Sequence, residues 1–141
     1  MTLIKDIIKI EGGYSAQVKL KEEFEDRSQN VERMSHYKPI QAHRKAFEVI
    51  AEGIYKKDSK RCFILSGSYG TGKSHLCLMA ANYLENPSDM PEMKQFFKNY
   101  EEAEEAEATK KAQQLQNIRK TGRDLVCICD YGLETSFETI V

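Results

Sequence analysis

The chain has 141 residues, the length of a single domain, and 40% of them are apolar while 30% are charged. This balance is typical of an ordinary globular protein. The formal net charge of −1 provides no global basic field of the kind that attracts nucleic acid. No apolar run approaches the roughly 18 residues that a membrane-spanning helix needs. We therefore expect no membrane association.

The start of the chain and the cysteines indicate a cytoplasmic location. Residues 1–10 are interrupted by charges and lack a small-residue cleavage site, so they are not a secretory signal. The cysteines at 62, 77, 127 and 129 lack the C-x-x-C spacing of zinc or redox sites. Cys127 and Cys129 share one face of a predicted strand, but two further metal ligands are missing. The sequence therefore predicts small buried hydrophobic cysteines in a reducing cytosol.

The predicted elements of the first half are two helices and a strand. Residues 3–10 carry the apolar stripe of a short amphipathic helix, and alternating apolar residues predict a half-buried strand over 14–20. The polar stretch 21–36 predicts a loop or irregular helix. Pro39 suits a first helical position, and the apolar stripe that follows predicts a helix to about Lys57.

The second half predicts two buried strands and two helices. Apolar runs predict strands over Arg61–Ser66 and Leu125–Cys129, and a helix over His75–Leu84 that Asn86-Pro87-Ser88 ends. Residues 91–120 have a long helical pattern whose middle is highly charged. We interpret it as a solvated helix that projects from the body, with a partner-docking arm as the alternative.

One segment carries a sharp motif. Residues 67–74 read Gly-Ser-Tyr-Gly-Thr-Gly-Lys-Ser, which matches G-x-x-x-x-G-K-[ST] (Walker A). The predicted strand before it and the predicted helix after it are the context that this phosphate-binding loop requires. The sequence therefore predicts an α/β, P-loop NTPase-like fold with a partial parallel sheet flanked by helices. Residues 1–38 would form an N-terminal helix–strand–loop segment, and 39–141 the first part of the P-loop NTPase domain.

The motif residues have separate chemical roles. Gly67, Gly70 and Gly72 are predicted to adopt positive φ angles, which give a tight loop and let backbone N–H groups approach phosphate closely. The Lys73 ammonium would contact the β- and γ-phosphates and is the candidate catalytic residue, and the Ser74 hydroxyl would bind Mg²⁺. His75, on the first helical turn, is either catalytic or, as we favour, a capping or packing residue. The candidate nucleotide-binding residues are Gly67, Ser68, Tyr69, Gly70, Thr71, Gly72, Lys73, Ser74 and His75.

The cofactors predicted from this motif are ATP and Mg²⁺. The loop itself reads only phosphates, and the chain contains no Asn-Lys-x-Asp motif for guanine, which favours ATP. Asp130 follows the second predicted strand and is a candidate second Mg²⁺ ligand. Because Tyr131-Gly132 follows it instead of a glutamate, we favour a role for Asp130 at the strand end or in the loop.

The stretch Phe63–Leu76 resembles the loop of additional-strand ATPases of the AAA+ and STAND type. Its Gly-Thr-Gly-Lys-Ser-His-Leu core is similar to helicase loaders and replication initiators. The layout more closely resembles the N-terminal part of large bacterial anti-phage ATPases of the BREX type (BrxC/PglY). This resemblance implies ATP hydrolysis by the full-length protein in phage defence or DNA remodelling. It also implies DNA or defence-system protein partners and an oligomer formed through parts beyond this chain.

The predicted sheet is too small for a complete domain of this class. A P-loop domain buries a parallel sheet of about five strands between helices, so we expect an incomplete domain that hydrolyses ATP poorly by itself. Two alternatives remain open from the sequence. One is a helicase-loader or initiator-like AAA+ ATPase, and the other is a regulatory module that binds nucleotide without hydrolysing it.

Overall fold

A computed structural model of the chain describes residues 19–56, 61–102, 107–119 and 124–128. These residues contain the helices α1 (Leu20–Glu25), α2 (Arg27–His36), α3 (Gln41–Tyr55), α4 (Lys73–Glu85), α5 (Pro91–Glu101) and α6 (Ala108–Ile118). Helix α4 packs against α1, α2 and α3, while α5 packs against α2 and α6, and α6 also packs against α3. The described part of the chain is therefore a helical bundle with α4 near its centre.

The prediction of an α/β fold is wrong, because the described part of the chain is a helical bundle. None of the described residues lies in a β-strand, and the segments 61–66 and 124–128 are irregular. A strand exists only through hydrogen bonds to a neighbouring strand, whereas the Asp124 N–H donates to the Leu84 carbonyl of α4. Ile64 is 90% exposed and Leu125 95% exposed, so these apolar runs are not the buried strands of a parallel sheet.

The core is built from aromatic side chains on three helices. Phe47 of α3 lies 5.0 Å from the Tyr83 ring of α4 and 5.5 Å from the Phe96 ring of α5, measured between centroids. Tyr83 also meets Phe97 edge-to-face. Such tilted and edge-on pairs contribute about 0.5–1.5 kcal/mol each beyond the area they bury. The helices predicted over 39–57 and 75–84 are confirmed as α3 and α4.

Two helices, α1 and α2, occupy the stretch 21–36, for which the sequence predicted a loop or irregular helix. The Asp26 carboxylate caps α2 by accepting from the Gln29 N–H at 3.3 Å, and an ion pair between Glu23 and Arg33 joins α1 to α2. The buried Asn30 and Asn82 side chains exchange reciprocal amide hydrogen bonds of 2.8 and 2.6 Å between α2 and α4. Since these contacts use polar groups, the segment lacks the apolar stripe that indicates a helix. The predicted helix over 3–10 and all but the end of the predicted strand over 14–20 lie outside the described residues.

The helical pattern predicted over 91–120 is confirmed as the helices α5 and α6. The interpretation of this stretch as a solvated helix that projects from the body is wrong. Helices α5 and α6 are separate and pack on each other, and residues 103–106 lie outside the described part. Helix α6 buries Ala108, Ala112 and Leu115, and the Tyr83 hydroxyl donates to the Leu115 carbonyl at 2.6 Å. Two alanines and one leucine therefore form the packing face of α6.

The cysteines are less buried than the sequence suggests. Cys62 and Cys127 are exposed, and Cys77 is half-buried on α4, where burial raises the pKa of its thiol. Cys129 lies outside the described residues. The sequence predicted that Cys62 and Cys127 lie in buried strands, whereas the described residues form no sheet that covers them. Among the described helices, none has the length and apolar character needed to cross a bilayer.

Candidate functional site

The loop from Gly67 to Gly72 enters α4 through a left-handed backbone. Gly70 has φ of 80° and Gly72 has φ of 79°. Gly72 is the N-cap residue of α4, which begins at Lys73. Residues with a Cβ rarely adopt this conformation, so the motif's glycines meet a backbone requirement at these two positions. The prediction that Gly67 also has a positive φ is wrong.

The loop folds around the Lys73 ammonium group. Its Nζ donates to the Gly67 carbonyl at 2.9 Å and the Ser68 carbonyl at 2.7 Å, and lies 3.4 Å from Thr71 Oγ1. The Thr71 hydroxyl closes the same turn by donating to the Ser68 carbonyl at 2.9 Å. The positive charge is therefore held at the loop.

The N-terminus of α4 offers further anion donors. No side chain caps the helix, and its first backbone bond runs from the Leu76 N–H to the Gly72 carbonyl at 2.9 Å. The amides of Lys73, Ser74 and His75 precede that bond and have no acceptor within the helix. Free amides and the helix dipole favour an anion at such an end. The Ser74 side chain is exposed beside these amides.

His43 and Tyr37, which no sequence motif indicates, contact the loop through hydrogen bonds. His43 Nε2 lies 2.9 Å from the Thr71 carbonyl, and its Nδ1 lies 2.9 Å from the Tyr37 hydroxyl. The His43 ring also packs against Gly72, where an added Cβ would lie 2.6 Å from His43 Cε1. No sequence spacing signals this contact, because it joins the first turn of α3 to a loop 28 residues away.

His75 packs behind the loop as a core-facing residue. Its ring meets the Tyr37 ring edge-on at 4.8 Å, and burial lowers the pKa of the imidazole, with the charges of Arg33 and His43 adding to the effect. Its buried Nε2 has no hydrogen-bond partner within the described structure. It borders an open cleft of about 560 Å³ that Tyr37 and His43 also line. This geometry agrees with the packing role that we favoured from the sequence.

The remaining candidates are placed as follows. Tyr69 is 89% exposed, and Ser68 and Thr71 are exposed on the loop. Asp130 lies outside the described residues, so its predicted Mg²⁺ role stays a prediction. Within the described ranges, no group of three or more His, Cys, Asp or Glu side chains is arranged to hold a metal ion.

No protein-family model, curated protein or solved structure matches this chain. The resemblance to AAA+, STAND and BREX-type ATPases is overturned by the fold. Those proteins place the loop between a strand of a parallel sheet and a helix, and the described residues contain the helix but no strand.

Proposed function

We propose that the loop from Gly67 to Ser74 binds the phosphates of ATP together with Mg²⁺. The observation that carries the proposal is the Lys73 ammonium, which two loop carbonyls hold at the N-terminus of α4, where no side chain caps the helix. A phosphate chain is bound by N–H donors together with a cation. The first amides of α4 and the Lys73 side chain belong to the same helical turn, which supports the proposal. These requirements are local, so they do not depend on a sheet.

Each group has a distinct role in this binding. The first amides of α4 donate to phosphate oxygens, and the Lys73 ammonium neutralises the β- and γ-phosphates. The Ser74 hydroxyl is a hard oxygen ligand on the first helical turn, which suits Mg²⁺ coordinated mainly by phosphates and water. The absence of an Asn-Lys-x-Asp motif supports ATP over GTP. Hydrolysis would also need an acid that activates water, and the candidate Mg²⁺ ligand Asp130 is followed by Tyr131-Gly132 instead of a glutamate that could take this role.

Calorimetric titration with ATP and with GTP, each with and without Mg²⁺, tests the proposal. We expect wild type to bind ATP–Mg²⁺ and Lys73→Ala to bind it about ten- to hundredfold more weakly, since charge-assisted hydrogen bonds are lost. Lys94→Ala, which removes an exposed lysine on α5, should match wild type. Equal affinities of Lys73→Ala and wild type, or no binding by folded wild type, would contradict the proposal.

A further inference from the structure

A chain of two hydrogen bonds connects the buried Tyr37 to the loop through His43. The Thr71 carbonyl can only accept a hydrogen bond, so the His43 proton that faces it lies on Nε2. In the neutral ring, Nδ1 then accepts from the Tyr37 hydroxyl. Burial raises the pKa of Tyr37, which keeps that hydroxyl protonated and able to donate. The direction of donation is therefore Tyr37 to His43 to Thr71.

Tyr37, the first donor in this chain of hydrogen bonds, is held in place by packing. Tyr37 is 4% exposed, and its ring stacks on Phe96 of α5 with an interplanar angle of 9°. His75 of α4 meets the same ring edge-on. A hydroxyl on a ring held by two helices has a fixed position, so it fixes the imidazole that accepts from it.

At the other end of this hydrogen-bond chain, the bond from His43 sets the orientation of the Thr71–Gly72 peptide. The peptide bond between Thr71 and Gly72 is trans, so its N–H and carbonyl point in opposite directions. Holding the Thr71 carbonyl on His43 therefore aims the Gly72 N–H away from His43. Only glycine at position 72 gives both the positive φ and the space for the His43 ring.

We infer that His43 and Tyr37 are positioning residues for phosphate binding. His43 holds the Thr71–Gly72 peptide in the orientation that the phosphate chain requires, and Tyr37 holds His43. The inference rests on the proposed binding of ATP–Mg²⁺ at the loop. It assigns both residues to the triphosphate part of the ligand, not to the nucleoside.

The test measures affinity for two ligands, ATP–Mg²⁺ and inorganic tripolyphosphate–Mg²⁺. The variants are His43→Ala, Tyr37→Phe and the double variant, each checked for a wild-type circular dichroism spectrum. Tyr37→Phe keeps the packed ring and removes only the hydroxyl. Each single variant is expected to weaken both ligands by a similar factor, roughly two- to twelvefold, which is the net effect of one hydrogen bond. His36→Ala, an exposed histidine bonded to its own helix, is the control and should match wild type.

The double variant and a conservative variant separate positioning from general stability. Because Tyr37 acts through His43, the double variant should bind no more weakly than His43→Ala alone. His43→Gln, whose amide can donate to the Thr71 carbonyl, should recover affinity relative to His43→Ala. Unchanged affinities in both single variants, additive losses in the double variant, or weakening for ATP alone would overturn the inference and leave ATP binding intact. Failure of wild type to bind either ligand would overturn both proposals.

Discussion

Among the single residues of the loop, the two glycines with a left-handed backbone differ in the space around them. Gly70 and Gly72 have nearly the same φ, but no atom lies within 4 Å of a Cβ at Gly70, whereas a Cβ at Gly72 would strike His43. Gly70→Ala should cost about 1–2 kcal/mol from backbone strain alone. Gly72→Ala should cost about 1 kcal/mol more, because His43 must give up its bond to Thr71. Urea unfolding of both variants measures the difference, and equal losses would contradict the packing of His43 on Gly72.

Ser74 is expected to account for the Mg²⁺ dependence of binding. In Ser74→Ala the affinity for ATP with Mg²⁺ should fall towards the affinity measured without it, because one oxygen ligand is lost. Binding without Mg²⁺ should be unchanged. Calorimetry in the presence of Mg²⁺ or of a chelator makes the comparison, with the exposed Ser88→Ala as the matched control. If Mg²⁺ raised the ATP affinity of Ser74→Ala as much as that of wild type, Ser74 would not be a Mg²⁺ ligand.

Local spacing predicted part of this site and could not predict the rest. The residues Gly67–His75 are contiguous, so their spacing alone identifies the loop and its helix start. Tyr37 and His43 reach the loop only after α3 packs beside α4. Their residue types carry no signal by themselves, because a lone histidine near a helix start is common.

At the scale of elements, periodicity succeeded where an apolar stripe faces a core. Helix α3 buries such a stripe, whereas α4 is an apolar run that buries every residue from Leu78 to Tyr83, and both helices were predicted within a few residues of their ends. The stretch of helix α2 was predicted only as a loop or irregular helix, because its buried face includes Asn30, whose pairing with Asn82 only the fold provides. The runs at 61–66 and 125–129 satisfied the composition of strands, but composition cannot supply the neighbouring strand that a sheet needs.

The packing of α6 is the clearest correction at this scale, and it can be tested by truncating Leu115. Leu115 is 2% exposed, so Leu115→Ala should lower the free energy of unfolding by about 2–5 kcal/mol. Leu125→Ala is the matched control, since Leu125 is 95% exposed and its loss should cost within about 0.5 kcal/mol. If α6 were a projecting solvated helix, both variants would unfold like wild type in a denaturant titration.

For the whole molecule, the fold was inferred from one motif, and that inference failed. The glycine-lysine loop needs only a turn and a helix N-terminus, and a helical bundle supplies both through α4. The aromatic cluster around Phe47 holds α3, α4 and α5 together and thereby fixes the distance from His43 to the loop. The sheet that usually accompanies such a loop is not a physical requirement of phosphate binding.

The stability of the whole bundle should depend on pH through His75. Burial lowers the pKa of His75 below its ordinary value of 6.5, so the unfolded chain takes up a proton first as the pH falls. The stability contributed by neutral His75 is complete above pH 6.5 and is lost as the pH falls through and below that value. Chemical unfolding from pH 7.5 to about pH 5 should show a smaller decline in the free energy of unfolding for His75→Gln than for wild type. Identical declines in the two proteins would mean that groups other than His75 cause the acid sensitivity.

The most direct test of the central claim is an amide nitrogen–proton correlation spectrum recorded during titration with ATP–Mg²⁺. If the loop binds the phosphates, the largest shifts should be those of the amides from Gly70 to His75, and they should be absent in Lys73→Ala at the same ligand concentration. Because backbone N–H groups are the proposed donors, this measurement observes the binding contacts themselves. Saturating shifts confined to residues far from the loop, or none in folded wild type, would contradict the account.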